Sequence, residues 1–226
     1  MGNILWNKLD LVIFDVDGTL YDQKKLRKKM MQSLLFYYLM RPWQFKDLLI
    51  LHHFRKEREK KAGYAGTNLQ IEQYEWCVNK TKIPLKRVKE VVDKWIFNFP
   101  NKYLKECVYP GVEDFFKNLE DKNILKAIYS DYDSIQKLKE MGLVVDIIVS
   151  STDQDINAMK PLPNGLNYIL NSLKIEDKTR CVFIGDRMEL DGKCAENAQI
   201  PFLIINKEQA KINLFKSLSN KLLNEN

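Results

Sequence analysis

Four short polar clusters bring together residue types that could act on one another. Asp15-Val16-Asp17-Gly18-Thr19 closes an apolar run from Leu9 to Phe14, Ser130-Asp131 closes one from Ile124 to Tyr129, and Gly185-Asp186 closes one from Cys181 to Ile184. Asp191 follows a few residues on, and a lone Lys160-Pro161 falls between the second and third runs. Four acids in one cleft (Asp15, Asp17, Asp186 and Asp191) would repel strongly, and a divalent cation is the natural remedy. Hard carboxylate oxygens without His or Cys suit Mg²⁺. A carboxylate able to attack, a metal, the Ser130 hydroxyl and a fixed ammonium on Lys160 are parts for displacement at a phosphoryl group. Metal and lysine would neutralise the equatorial oxygens while an aspartate attacks in line. Residue types alone do not say which aspartate does which task.

For these clusters to meet, the apolar runs must be neighbouring strands. Leu9 to Phe14 is short, rich in Val and Ile, and reads as a buried strand. After Pro110-Gly111 the rhythm alternates. Helical stretches at 112–119, 134–140, 163–173 and 189–198 are interleaved with β-like runs at 124–129, 146–149, 181–184 and 202–205. Such alternation predicts a doubly wound, Rossmann-like parallel sheet with helices on both faces, its function beyond the C-terminal strand ends. The tail from Lys207 reads as one last helix. Between Gln23 and Val108 the pattern is helical throughout, with breaks at Arg41-Pro42, Gly63 to Gly66 and Ile83-Pro84. Leu26, Met30, Leu34 and Tyr37 share one face; Phe45, Leu48, Leu49 and His52 share another. Val88, Val91, Val92, Trp95 and Phe99 form the clearest stripe. The expected division is a core of residues 1–22 and 109–226 and an inserted four-helix bundle of residues 23–108.

Charge follows the same division. The chain has 226 residues, 45% of them hydrophobic, enough for a sizeable core, and a net charge of +6. From Gln23 to Val108 there are 20 Lys/Arg against 8 Asp/Glu, a net +12, which leaves −6 for the remainder. Basic residues interleaved with Trp43 and Trp76 could suggest nucleic acid. Trp95, however, belongs to a regular apolar stripe, and Arg55 to Lys61 reads as a solvated helix end. His52-His53 reads as a helix face rather than a metal pair. Cys77, Cys107, Cys181 and Cys194 form no C-x-x-C pair and read as reduced, buried thiols. Met1-Gly2 is similar to a myristoylation start, but Trp6 stands where Ser or Thr is wanted. The N-terminus has no signal-peptide pattern, and the longest apolar stretch, Met30 to Met40, is too short to span a bilayer. A cytoplasmic location is the expectation.

At these clusters the chain resembles the haloacid dehalogenase superfamily of aspartate-nucleophile hydrolases. Asp15-Val16-Asp17-Gly18-Thr19-Leu20 matches the first motif, D-x-D-G-T-L. Ser130 matches the second, Lys160 the third, and Gly185-Asp186 through Asp191 the fourth, G-D-x-x-x-x-D. The resemblance spans about Leu9 to Ile205 and implies roles. Asp15 would be the nucleophile, and Asp17 the acid for the leaving alcohol and then the base for water. Ser130 and the backbone around Gly18 and Asp131 would hold phosphate oxygens, and Lys160 would neutralise charge. Asp15, the backbone carbonyl of Asp17, and Asp186 would bind Mg²⁺, with Asp191 direct or through water. The insertion corresponds to the first subgroup's helical cap, in which Tyr64 or a nearby basic residue would touch the leaving group. Asn197-Ala198-Gln199, where many members have Ala-Gly, is a departure that touches packing only.

The resemblance implies a Mg²⁺-dependent phosphatase acting on a small anionic phosphorylated metabolite rather than on nucleic acid. A phosphomutase shares the core but needs a cap that reads both sugar orientations. A metal-independent dehalogenase has no use for Asp17 and Asp186 together. Stable membrane insertion is not expected, docking of the basic, aromatic cap on anionic lipid stays open, and the chain would act as a monomer or homodimer.

Overall fold

The computed structural model describes residues 4–224; the Met1-Gly2 start lies outside them. Five parallel strands, β1 (Leu11–Phe14), β2 (Leu125–Ser130), β3 (Ile147–Ser150), β4 (Cys181–Gly185) and β5 (Phe202–Ile204), form one sheet in the order β3-β2-β1-β4-β5. The central β1 is buried along its whole length, which is why its sequence is apolar without alternation. Phe14 stands opposite both Ile128 and Ile184. The chain winds outward through β2 and β3, then crosses β1 to β4 and β5. The crevice at that switch point lies beyond the strands' carboxyl ends.

Helices α1 (Gln23–Leu39), α2 (Asp47–Glu59), α3 (Leu69–Thr81) and α4 (Leu85–Val92) all lie between β1 and β2. The later helices are α5 (Val112–Asp121), α6 (Ile135–Met141), α7 (Asn164–Ser172), α8 (Lys193–Ala198), α9 (Lys207–Ala210) and α10 (Leu214–Asn224). One face of the sheet packs Phe14 and Val182 with Phe115, Phe116 and Phe215. The other packs Ile13 and Phe183 with Leu166, Ile169 and Ala195.

The helical insertion leaves and rejoins the core at adjacent points. Tyr21 and Val108 form an antiparallel bridge; Asp22 N donates to Cys107 O at 2.8 Å and Tyr109 N to Leu20 O at 3.1 Å. Asp22 also caps α1, its carboxylate accepting the amides of Lys24 and Lys25. Inside the insertion, Leu26, Met30, Ile50, Phe54, Tyr74, Val88 and Trp95 are buried together. The four cysteines are free and buried.

Three details differ from the periodicity reading. The stripe from Val88 does not run along one straight helix. α4 ends at Val92, a π-helical turn covers Asp93–Asn98, and a 3-10 turn follows. Pro100, which lacks an N–H, cannot sit inside a continuing α-helix. In α2 the buried face carries Ile50, Leu51, Phe54 and Arg58, while Phe45, Leu48, Leu49 and His52 are exposed. Residues 45–54 are apolar on two sides, so spacing alone fits two faces. The face that packs is the one bearing Phe54 and the buried Asp47, which pairs with Arg87 at 2.5 Å. The tail divides into α9 and α10, and Asn206 caps α9 by accepting the amides of Glu208 and Gln209. Among the described residues no helix is long and apolar enough to cross a membrane.

The α2 assignment has a direct test. Phe54→Ala, in a fully buried site, should cost about 3–5 kcal/mol in urea unfolding. Leu49→Ala, at a position 53% exposed, should stay within about 0.5 kcal/mol of the parent. Equal costs would mean that the faces are assigned wrongly.

Candidate active site

The four clusters meet beyond the carboxyl ends of the strands. Asp15 directly follows β1, its amide donating to Ile184 O at 2.9 Å. Ser130 ends β2 and Gly185 ends β4. Lys160 arrives on the segment after β3, and its side chain is 1% exposed. Its Nζ lies 2.8 Å from Asp15 Oδ1 and 2.8 Å from Asp191 Oδ1. Thr19 Oγ1 donates to the other Asp15 oxygen at 2.9 Å. Asp191 Oδ2 accepts the amides of Asp186 at 3.1 Å and Arg187 at 3.0 Å, which pins it across the π-helical turn Met188–Gly192.

Two glycines make room for this convergence. A Cβ on Gly18, whose φ is +97°, would lie 2.5 Å from Asp186 Oδ2. A Cβ on Gly185 would overlap the Asp191 side chain.

The electrostatics follow from burial. Burial and the neighbouring Asp191 and Asp186 push the Asp15 carboxyl up to about 8, against the pull of Lys160. Asp186 is likewise raised, mainly by burial, although Lys207 Nζ sits 2.6 Å from its Oδ2. For Lys160 burial acts downward, but Asp15, Asp191 and Asp131 outweigh it and hold the ammonium above its ordinary range. Asp15, Asp186 and Asp191 can each offer an oxygen within 4.8 Å of one another. Crowded hard donors carrying excess negative charge fit a small divalent cation. The Asp17 carboxylate is not in this trio. Lys137 Nζ lies 2.6 Å from both its oxygens and the Tyr21 hydroxyl donates to one of them. Burial works against ionisation of Asp17, but Lys137 and Tyr21 win and hold it below the usual carboxylate range.

Ser130 is buried, its Oγ accepting the Tyr132 amide at 3.3 Å. Asp131 braces the Lys160 loop: its Oδ1 accepts Ser151 Oγ at 2.7 Å and the Lys160 amide at 3.3 Å. Gly18 follows Asp17 within the β1 turn.

The helical insertion closes against the same loops. Arg58, 2% exposed, donates to Asp131 O at 2.5 Å, bonds to Gln73 and lies over the Tyr132 ring. The 63–66 segment pairs with the Lys160 loop. Gly63 N donates to Lys160 O, Met159 N to Tyr64 O and Gly66 N to Asn157 O, each at 2.9 Å. The Tyr64 ring packs edge-on against Trp76, with Lys61 over both rings.

Tyr21, Lys137, Lys207 and Arg58 are not found by motif spacing, and Thr19, although inside the first motif, carries no assigned role there. Lys207 is the second residue past the end of the β5-like run, so polar residues at strand ends include it. Lys137 and Arg58 sit on helices, at positions that become significant only once α6 and α2 are packed. Lys193, the other lysine near the fourth cluster, is exposed and pairs with Glu196. Arg187 pairs with Glu189 at 2.9 Å and approaches Glu59 at 3.8 Å.

A parallel switch-point sheet thus carries a buried aspartate–lysine–aspartate arrangement beyond its strand ends. The model of the haloacid dehalogenase-like hydrolase family matches residues 12–205, and the chain belongs to that family. No curated protein sequence matches it significantly. Among solved structures it is similar to a phosphatase of this superfamily from Thermococcus onnurineus, at 21% identity and TM-score 0.59, covering 88% of this chain and 86% of that one. It is also similar to YfnB from Bacillus subtilis, bound to magnesium, at 18% identity and TM-score 0.57, covering 88% and 89%. A third is CbbY from Rhodobacter sphaeroides in complex with phosphate, at 15% identity and TM-score 0.54, covering 87% and 85%.

Gly185→Ala tests how tightly the site is assembled. The added methyl group must displace Asp191, and the expected cost is about 1–3 kcal/mol in chemical denaturation. A neutral effect would mean that the loop is free to move.

Proposed function

We propose that the protein is a Mg²⁺-dependent phosphatase that hydrolyses a small phosphomonoester through an aspartyl-phosphate on Asp15. The observation that carries this reading is the buried Lys160 ammonium bridging Asp15 and Asp191 at 2.8 Å each. It places a fixed positive charge beside a carboxylate at a strand end, where a phosphoryl group's negative oxygens would lie.

In the first half-reaction the Asp15 carboxylate attacks phosphorus. The new Asp15–phosphorus bond forms as the bond to the leaving oxygen breaks, and Asp17 gives that oxygen its proton. In the second, Asp17 takes a proton from water, the water oxygen bonds to phosphorus, and the Asp15 carboxylate is expelled with inorganic phosphate as product. Ser130 and the amides around Gly18 and Asp131 orient the phosphate oxygens, and Lys160 offsets their charge. Asp15, the Asp17 carbonyl and Asp186, with Asp191 direct or through water, would hold Mg²⁺. When bound, the ion supplies further positive charge to the phosphoryl group. Lys137 keeps Asp17 ionised, the form the second half-reaction uses. A phosphate dianion arriving beside it raises its affinity for the proton the first half requires.

Residues 23–108 serve in this reading as a cap over a core of 1–22 and 109–226. The antiparallel crossing at Tyr21 and Val108 is the hinge, and the contacts of Arg58 and Gly63 with the Asp131 and Lys160 loops hold the closed form. Closure excludes water from the phosphoryl group.

Asp15→Asn should abolish turnover across a broad panel of phosphomonoesters, and EDTA should suppress it until Mg²⁺ is restored. Full activity in the variant or in EDTA would remove the mechanism. Lys137→Met removes the charge that lowers Asp17, so the limb of the pH–rate profile belonging to Asp17 should move to higher pH by about 1–3 units. An unmoved profile would take Asp17 out of the acid–base role.

A further inference from the structure

Between α1 and α2 lies a groove of about 500 Å³. Met31, Leu35 and Leu39 line it from α1, Leu48 and His52 from α2 and Phe45 from the turn before α2, with Tyr38 and Trp95 in its wall. Met31 is 67% exposed and Leu35 70%. Apolar surface of this extent is seldom left bare without a ligand or partner.

The groove has a direction. At one end its lining becomes charged, with Arg55, Lys56 and Glu59. Glu59 Oε1 stands 3.8 Å from Arg187 Nη1, next to Asp186. On α1, Arg27 lies one turn before Met31 on the same stripe, and Tyr21, whose hydroxyl bonds to Asp17, lies just before the start of that helix. The charged end of the α2 wall therefore reaches the Arg187 loop at the rim of the catalytic crevice. The other end opens at the α1–α2 turn, among Leu39 and Phe45. From Asp47 to Glu59 the α2 wall runs about 18 Å.

Cations at the crevice end and apolar surface beyond suit one molecule with an anionic head and an apolar tail. A second copy of this chain suits the face less well. Residues 24–56 contain 9 Lys/Arg and a single acid, Asp47, and Asp47 is buried against Arg87. Two such faces would repel. We propose that the substrate is an amphiphilic phosphomonoester whose phosphate sits at Asp15 and whose linear apolar tail lies in the α1–α2 groove. This rests on the phosphatase reading.

The test is kcat/KM for butyl, hexyl, octyl and decyl phosphate with Mg²⁺, each below its micellar concentration. The expected result is a rise of up to about fourfold per methylene that the groove buries. Leu35→Glu and Leu48→Glu, both at exposed positions, should flatten that slope mainly through KM. Octylphosphonate should bind the unmodified protein with a negative heat-capacity change in titration calorimetry. A flat chain-length profile overturns the proposal. If that profile comes with dissociation of a dimer in Leu48→Glu, the groove belongs to a second copy. If it comes with co-sedimentation on anionic vesicles, the groove belongs to a bilayer surface. No turnover of any member, with octylphosphonate still bound, would overturn the phosphatase reading rather than the groove.

Discussion

Lys160 is almost wholly buried, and its ammonium is shared by Asp15 and Asp191. A buried charge without a partner costs several kcal/mol, so none of the three groups is tolerable alone. Much of the local structure serves this constraint. Asp131 and Ser151 brace the Lys160 loop, the Gly63 amide holds its carbonyl, and Thr19 fixes the second oxygen of Asp15. Gly185 lets Asp191 come close enough to take part. The sheet supplies the framework, since β1 and β4 end side by side.

Other cations divide the remaining negative charge. Lys137 neutralises Asp17 and Lys207 meets Asp186, and both come from the core rather than the insertion. The excess of basic residues between Gln23 and Val108 is thus not what holds the acids together. Many of them, such as Lys24, Lys28, Lys46 and Lys56, are exposed. Arg58 is the exception: buried, it ties the insertion to the backbone of Asp131. One insertion thus has two uses for positive charge, a dispersed field and a single anchored contact.

The sheet and the site core were legible in the sequence because buried parallel strands have a plain signature. Leu11 to Phe14 and Cys181 to Ile184 are apolar without interruption, and each hands over to a polar turn at its carboxyl end. Asp15, Lys160, Asp186 and Asp191 could be picked out from residue type and order. Helix facing was less legible. α2 has apolar residues around much of its circumference, and only packing against α3 and α4 selects Ile50 and Phe54 over Leu48 and Leu49. Partners such as Lys137 and Arg58 were hidden for a related reason. A cation's meaning depends on which carboxylate or carbonyl it reaches, and that is decided by helices distant in sequence.

The paired crossing at Tyr21 and Val108 bears on how the chain reaches this state. β1 must find β2 across more than a hundred residues, Leu11 against Leu125, and closing so long a loop is entropically unfavourable. Once the helices between them have condensed, Tyr21 and Val108 are already side by side. The effective loop is then roughly four times shorter, which recovers about 1 kcal/mol of closure entropy. An insertion that condensed first would shorten the search for the central strand pair.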